Sequence, residues 1–307
     1  MLLTDYVALV SLTRDISTSN LLQVAAAVQK QVTRDFTPLW GIRANVDAFE
    51  KLADVPNDYH PVVLFGQPDE LMGELEFEIG NVTTARMVQE FQTGRVAGLH
   101  SNAFTRQPFA LIQAADDWSV VVSHEVLEML ADPYGNRLIA GRHPLDPDER
   151  VKYLLEICDP CQTVGYTVNG WKMSDFYTPR YFDPVQNGAA FYSFTGAIEH
   201  PLHILRGGYI SWVDPRDSGL YQLEGASEQP TLVADVTTLA RTSVPLRTVV
   251  DTNAATPRVT ADNFSLVGGP GTDPARSHQA VRTASRASAL RNAEAFLSLA
   301  AEAEAWE

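Results

Sequence analysis

The sequence is short of cysteines, basic residues and long apolar runs, and each shortage excludes a class of protein. Two cysteines among 307 residues are too few for a small scaffold held by disulfides. Lysine and arginine number 23 against 38 acidic residues, which gives a formal net charge of −15. A nucleic acid or an anionic membrane is bound through a basic surface. We therefore expect neither of them as a partner.

The apolar runs are also too short to cross a bilayer, which needs roughly 18 consecutive apolar residues. The first apolar run has no basic segment before it, so we expect no signal peptide and, by default, a soluble cytoplasmic protein. Export by a route that needs no signal peptide stays open. With 45% apolar and 20% charged residues, the composition is typical of a folded globular protein.

Apolar runs alternate with helical periodicity through the first part of the chain, which predicts an α+β fold close to the α/β class. We expect a mixed sheet with a backing helix and a second helix that carries the active site. The predicted strands cover residues 7–12, 39–46, 61–65, 96–101 and 108–113, and the predicted helices cover residues 21–36, 83–92 and 118–131.

The pattern divides the chain into three parts, of which residues 1–183 form the first. Residues 184–250 contain aromatic and β-branched runs, as at 190–194, and predict a β-rich extension. Residues 251–307 begin with the composition of a linker and end in an Ala-rich amphipathic helix over 280–306. We expect this helix to dock on the body of the protein or on a partner.

The helix predicted over residues 118–131 is apolar almost all round, yet it contains His124, Glu125 and Glu128. Buried carboxylates need a cation or hydrogen-bond donors to compensate them. Residues four apart lie on one helix face, so His124 and Glu128 are placed to ligate one metal ion. Glu125 then lies close enough to act as a general base. The helix should end before Pro133.

Two ligands are too few for a catalytic zinc site, so the chain must supply a third. The acidic pair in residues 156–161, which read EICDPC, is the best source. We favour Glu156 as the ligand and Asp159 as a group that orients His124, although the two could exchange roles. The two thiols of this segment, Cys158 and Cys161, are interpreted as packing residues or a local bridge rather than as ligands of a soft metal.

These motifs resemble those of a known family. Residues 123–133, SHEVLEMLADP, and residues 156–161, EICDPC, resemble the approximate patterns SHELxExxTDP and GEIxDxC of the zincin-like exordium, or phosphate-induced, family. The first motif also looks like that of uncharacterised bacterial and phage-associated proteins that share the HEVLEMLADP helix. The resemblance extends over residues 98–182.

The resemblance implies a zincin-like catalytic domain with zinc as its cofactor and a peptide or protein as its substrate. The active-site helix would lie beneath a mixed sheet whose edge strand, placed at residues 108–113, could hold an extended peptide. The sequence departs from better-studied metallopeptidases because Glu128 stands where they have a second histidine. A carboxylate there still binds zinc but lowers the net charge of the site.

The leading hypothesis is hydrolysis of a peptide bond, in which Glu125 takes a proton from a water activated by zinc. A hydrogen-bond donor to the developing oxyanion is also needed. Tyr177 is the first candidate for that donor, and Tyr181, His200 and His203 are alternatives.

Two other hypotheses use the same residues. In the first, the metal only stabilises a binding or structural module, which could be a component or cargo of a phage-like assembly. In the second, carboxylate oxygens bind calcium. The oxygen donors would come from Glu125, Glu128, Asp132, Glu156 and Asp159. In the zinc hypothesis, Asp132 only supports the ligands. The imidazole of His124 favours zinc over calcium.

Overall fold

A computed structural model describes residues 4–71, 78–79, 82–93, 97–102, 107–187, 190–239, 244–254 and 263–268. It confirms the α+β class, with several helices and mixed sheets. Among the described residues, no helix is both long enough and apolar enough to cross a lipid bilayer. The helix predicted over 280–306 lies outside the described residues.

The elements of the first half are, in chain order, β1 (Thr4–Ser11), α1 (Thr18–Lys30), a π-helical segment (Gln31–Phe36), α2 (Thr37–Trp40), β2 (Arg43–Phe49), β3 (His60–Phe65), β4 (Glu78–Ile79), β5 (Val82–Thr83), α3 (Thr84–Gln92), β6 (Gly98–Asn102), β7 (Pro108–Gln113) and α4 (Trp118–Ala131). Those of the second half are β8 (Leu138–Arg142), β9 (Arg150–Leu154), β10 (Val164–Val168), β11 (Trp171–Ser174), β12 (Tyr209–Val213), β13 (Gly219–Glu224), β14 (Thr231–Asp235), α5 (Val236–Leu239), α6 (Leu246–Asn253) and β15 (Ser265–Leu266). Short 3-10 turns lie between them at Leu52–Asp54, Pro68–Leu71, Asp159–Cys161 and Pro179–Phe182.

The first large sheet has the strand order β2-β1-β3-β7-β6. Its first four strands are parallel, and β6 runs antiparallel to β7 at one edge. Helix α1 connects β1 to β2 and begins at Ser17, whose side chain accepts a hydrogen bond from the Asn20 amide. Val24 and Val28 of α1 and Leu9 of β1 are fully buried in the shared core. A parallel pair requires such a crossover connection.

The second large sheet is antiparallel, with the strand order β14-β13-β12-β9-β8. Trp212 of β12 pairs with Tyr153 of β9. The strands predicted as an extension over 184–250 therefore complete a sheet that residues 138–154 begin. The tyrosine and the tryptophan are both almost fully buried, so this pairing belongs to the main core.

Helix α4 packs against β6, β7 and β11. Two serines fix it to β11: Ser119 donates to the Lys172 carbonyl, and Ser123 accepts from the Ser174 amide at 2.7 Å. The helix ends at Ala131, as the proline at 133 predicts. The prediction of a buried helix over these residues is confirmed, with 12 of its 14 residues buried.

Several predictions about single segments are wrong. Residues 108–113 are an inner strand, because β6 folds back on β7 and takes the edge position. Residues 190–194 make only one isolated bridge, between Tyr177 and Ser193. The predicted start of the linker, at 251, lies inside α6. The apolar face that α6 buries over Val249 and Val250 explains this difference.

Candidate metal centre

Three ionisable side chains of α4 are buried on the face that meets β6 and residues 156–161. His124 is 8% exposed, Glu125 is 3% exposed and Glu128 is fully buried. The helical spacing brings His124 Nε2 to 3.4 Å from Glu128 Oε2. His124 is thus the member of this set that solvent reaches most easily.

Asp159 completes a group with these two side chains. Its Oδ1 atom lies 3.1 Å from His124 Nε2. One ligand atom from each of His124, Glu128 and Asp159 lies within 4.8 Å of the other two. All three residues are buried, so the group could hold a metal ion.

The two carboxylates of this group are held in the same way. Glu128 Oε1 accepts a hydrogen bond from the Cys158 amide at 2.9 Å, and Asp159 Oδ2 accepts one from Arg247 Nη1 at 2.7 Å. The other oxygen of each, Glu128 Oε2 and Asp159 Oδ1, has no hydrogen bond of good geometry in the described part of the chain. Each carboxylate is therefore anchored by one oxygen and presents the other to His124 Nε2.

A second group shares Glu128 with the first. It consists of His100, Glu125 and Glu128. His100 lies on β6, and its Nδ1 atom is 3.2 Å from Glu125 Oε2 and 3.9 Å from Glu128 Oε2. Gly98 allows the strand to approach the helix this closely, because a Cβ atom there would lie 2.5 Å from Val121 Cγ1 and 2.8 Å from Glu125 Oε1.

Arg247 enters the cluster from α6 and is 3% exposed. Its Nη1 atom contacts Glu156 and Asp159, and its Nε atom lies 3.2 Å from Asp251 Oδ1. The Tyr209 hydroxyl is 3.4 Å from the same Nη1. This guanidinium is a cation that sequence reasoning did not include.

The cluster is strongly acidic even with this guanidinium. Its buried carboxylates are those of Glu125, Glu128, Glu156, Asp159 and Asp251. Burying so many carboxylates beside one guanidinium leaves an excess of negative charge whenever most of them are ionised. A bound divalent cation would compensate that excess.

The pKa directions reflect this balance of burial and charge. Burial raises the pKa of Glu156 well above its usual range and raises the pKa of Asp251 to about 7. Burial also opposes ionisation of Asp159, but the Arg247 charge and the contact with His124 outweigh it and lower the pKa of Asp159. For His124, burial is outweighed by Glu128 and Asp159, so its pKa is raised.

Two predicted ligands have other partners. Glu156, the first choice as third ligand, contacts Arg247 and belongs to neither of the groups found among the described residues. Asp159 takes the position beside His124 instead. Asp132 accepts a hydrogen bond from the Arg137 amide at 2.7 Å and so holds the loop that follows α4.

The oxyanion candidates lie in two places. Tyr177 is 1% exposed and stacks on Tyr181 with ring centroids 4.4 Å apart. Burial first, then Tyr181 and carboxylates that include Glu128, raise the pKa of Tyr177, so its hydroxyl keeps its proton. His200 and His203 stack on each other in the loop before β12.

The cysteines are free thiols and are both buried. Burial is the main cause that raises the pKa of each thiol well above its ordinary value. Cys158 contributes its amide to Glu128, and neither sulfur belongs to a metal group among the described residues. The alternative of a local bridge is not realised.

Sequence reasoning missed His100, Tyr209, Arg247 and Asp251. His100 lies in β6, one strand before β7 and α4. A histidine in the strand predicted over residues 96–101 was the available signal, but the sequence does not show that it lies beside Glu125. Arg247 and Asp251 have the four-residue spacing of a helical ion pair. That signal was obscured because the segment was interpreted as the approach to a linker.

Comparisons with known proteins give no relative. No family model matches the sequence, no curated protein matches it, and no solved structure resembles it significantly.

Proposed function

We propose that this protein is a zinc-dependent metallopeptidase, with His124, Glu128 and Asp159 as the zinc ligands. The observation that carries the proposal is the pair of anchored carboxylates, each with one free oxygen beside His124 Nε2. For zinc bonds of about 2.0–2.2 Å, ligand atoms of a tetrahedral site are about 3.3–3.6 Å apart. The distances of 3.4 Å and 3.1 Å to Nε2 are close to that spacing.

The donor chemistry favours zinc over calcium. One imidazole nitrogen and two carboxylate oxygens suit zinc, whereas calcium takes six or more oxygen ligands. Three protein ligands leave room for a water, as in catalytic zinc sites. When bound, zinc would polarise a carbonyl and lower the pKa of that water.

Glu125 is the proposed general base. Its carboxylate lies in the group that shares Glu128 with the zinc ligands, so it can receive a proton from a water beside them. Burial disfavours its charged form, but the hydrogen bond from His100 and a positive charge on His124, whose place a bound zinc ion would take, outweigh this and lower the pKa of Glu125. Glu125 is therefore ionised and can accept the proton, and His100 orients it.

A peptide is the proposed substrate class. The support is the likeness of SHEVLEMLADP to the zincin-like exordium family, together with the place of His100 on β6, the edge strand of a mixed sheet. An edge strand can pair with an extended peptide. Tyr177, with its proton retained, is the proposed donor to the oxyanion.

The test begins with elemental analysis of the purified protein. We expect near-stoichiometric zinc in the wild type and its loss in His124→Ala and Glu128→Gln, with the exposed His200→Ala as the matched control. A peptide library then assays hydrolysis. Glu125→Gln should keep its zinc, and its rate of peptide hydrolysis should fall by a factor of about 10²–10⁴. The exposed Glu50→Gln should hydrolyse peptides at the wild-type rate. A zinc-loaded wild type that cleaves no peptide contradicts the peptidase proposal.

A second candidate differs from the metal-stabilised module above: it is a binding or structural module that needs no metal, because the cluster alone holds the fold together. Arg247 favours it, because a guanidinium that contacts Glu156, Asp159 and Asp251 already compensates part of the buried charge. This candidate predicts a thermal unfolding midpoint that is unchanged by chelation and by added zinc. The metallopeptidase predicts that zinc raises the midpoint, because a ligand stabilises the state that binds it.

A further inference from the structure

Arg247 is held in place by its helix as well as by its side chain. The Arg247 amide donates to the Gly135 carbonyl at 3.0 Å, directly after the end of α4. The neighbouring Thr248 hydroxyl lies 2.9 Å from the Ser101 hydroxyl of β6. Helix α6 therefore bridges the strand and the loop on either side of the carboxylates.

The guanidinium contacts Asp159 on the oxygen that faces away from the histidine. Nη1 donates to Oδ2 at 2.7 Å, while Oδ1 lies 3.1 Å from His124 Nε2. A carboxylate fixed at one oxygen loses most of its rotational freedom, so the direction of the other oxygen is set. Glu156 contacts the same Nη1 atom, and Asp251 Oδ1 lies 3.2 Å from Nε, so these two carboxylates hold the guanidinium itself.

We propose that Arg247 is a positioning residue of the zinc site, which fixes Asp159 as a ligand, and that Glu156 is a partner of Arg247 rather than a ligand. The proposal rests on the proposed function, because it concerns the same ion. It assigns helix α6, which carries Arg247 and Asp251, to the site.

The rival view is that Arg247 occupies the place of the metal. The hydrogen bonding disfavours this view. Arg247 Nη2 is 3.5 Å from Glu128 Oε2, about as near as His124 Nε2 at 3.4 Å, but it makes no hydrogen bond of good geometry with that oxygen. Both free ligand oxygens face His124 and remain without a good hydrogen bond. After the guanidinium is counted, the buried carboxylates still outnumber the cation, so a divalent ion is compatible with it.

Arg247→Lys tests the proposal, since it keeps the positive charge but loses the planar fork that holds Asp159. We expect zinc affinity, measured by competition with a chelating indicator, to fall about 10–100-fold. Cobalt loaded in place of zinc should show a changed visible spectrum, which a purely structural defect elsewhere would not cause. The exposed Arg43→Lys, on β2, is the matched control and should bind zinc as the wild type does.

Glu156→Gln and Asp251→Asn separate the partners from the ligands. Both substitutions keep the shape of the side chain. We expect Glu156→Gln to bind stoichiometric zinc with an affinity within about threefold of that of the wild type, whereas Glu128→Gln loses the zinc. Asp251→Asn loosens the guanidinium, and we expect it to lower the zinc affinity less than Arg247→Lys does. It also serves as the test if Arg247→Lys does not fold.

The outcomes distinguish the two proposals. A wild type that binds no zinc overturns the proposed function. If the wild type binds zinc, the role of Arg247 alone is overturned by a folded variant whose zinc affinity and cobalt spectrum are unchanged. A folded variant with a higher zinc affinity overturns it as well. Loss of zinc in Glu156→Gln as complete as in Glu128→Gln would make Glu156 a ligand.

Discussion

At the scale of single residues, the two oxygens of one carboxylate have different partners. Glu128 shows this most clearly, because Oε1 is held by the Cys158 amide and Oε2 is left to the cluster. The sequence contains Glu128 at the correct spacing from His124, but it does not show which backbone amide will meet it. That amide comes from a turn 30 residues later.

The cluster requires a residue without a side chain at position 98, which is Gly98. In Gly98→Ala, the new methyl would lie 2.5 Å from Val121 Cγ1 and 2.8 Å from Glu125 Oε1. We expect the free energy of unfolding to fall by about 1–3 kcal/mol, because overpacking forces neighbours out of place. Urea denaturation measures this loss, and a substitution without effect would show that β6 and α4 are not in close contact.

At the scale of elements, α4 could be predicted far better than α6. The limits of α4 follow from local signals, namely its apolar run and the proline that ends it. Helix α6 has eight residues, too few for a convincing periodic pattern, and its stability depends on packing against β6 and β14. The four-residue spacing of Arg247 and Asp251 is therefore a local signal too weak to predict that this arginine meets the cluster.

The end of α4 also provides a test of the calcium alternative. Asp132 holds the loop after this end by accepting from the Arg137 amide, so we expect Asp132→Ala to lower the free energy of unfolding by about 1–2 kcal/mol. It should leave zinc stoichiometry intact, since Asp132 is not in either metal group among the described residues. Thermal unfolding and elemental analysis check the two expectations, with the exposed Asp148→Ala as control. Loss of metal in Asp132→Ala would return it to the ligand set.

At the scale of the whole molecule, buried acids make stability depend on pH. Asp175 follows β11 and accepts hydrogen bonds from the Thr195 amide at 3.0 Å and the Thr195 hydroxyl at 2.6 Å. Burial outweighs these bonds and raises the pKa of Asp175 to about 6 from an ordinary value of 3.8. A raised carboxyl pKa means that the folded state binds the proton more tightly than the unfolded chain does.

The sign of the pH effect follows from this difference. As the pH falls from 7 towards 4, protonation of Asp175 should stabilise the fold by up to about 3 kcal/mol. Other acids act in the opposite direction, so the contribution is measured as the difference between the wild type and Asp175→Asn, which keeps an acceptor for the Thr195 amide. Urea titrations at several pH values should show the wild type gain stability relative to Asp175→Asn as the pH falls. A constant difference would contradict a raised pKa.

The sequence by itself determined the acidic charge, the α+β class, the limits of α4 and the common face of His124 and Glu128, since each depends on composition or on neighbours within a few turns. Tertiary structure decided that Asp159, rather than Glu156, lies beside His124. It also brought in His100 through the pairing of β6 with β7, and Arg247 through the packing of α6. These choices depend on contacts between residues far apart in the chain, where a local pattern carries no information about which of two nearby acids will face the histidine.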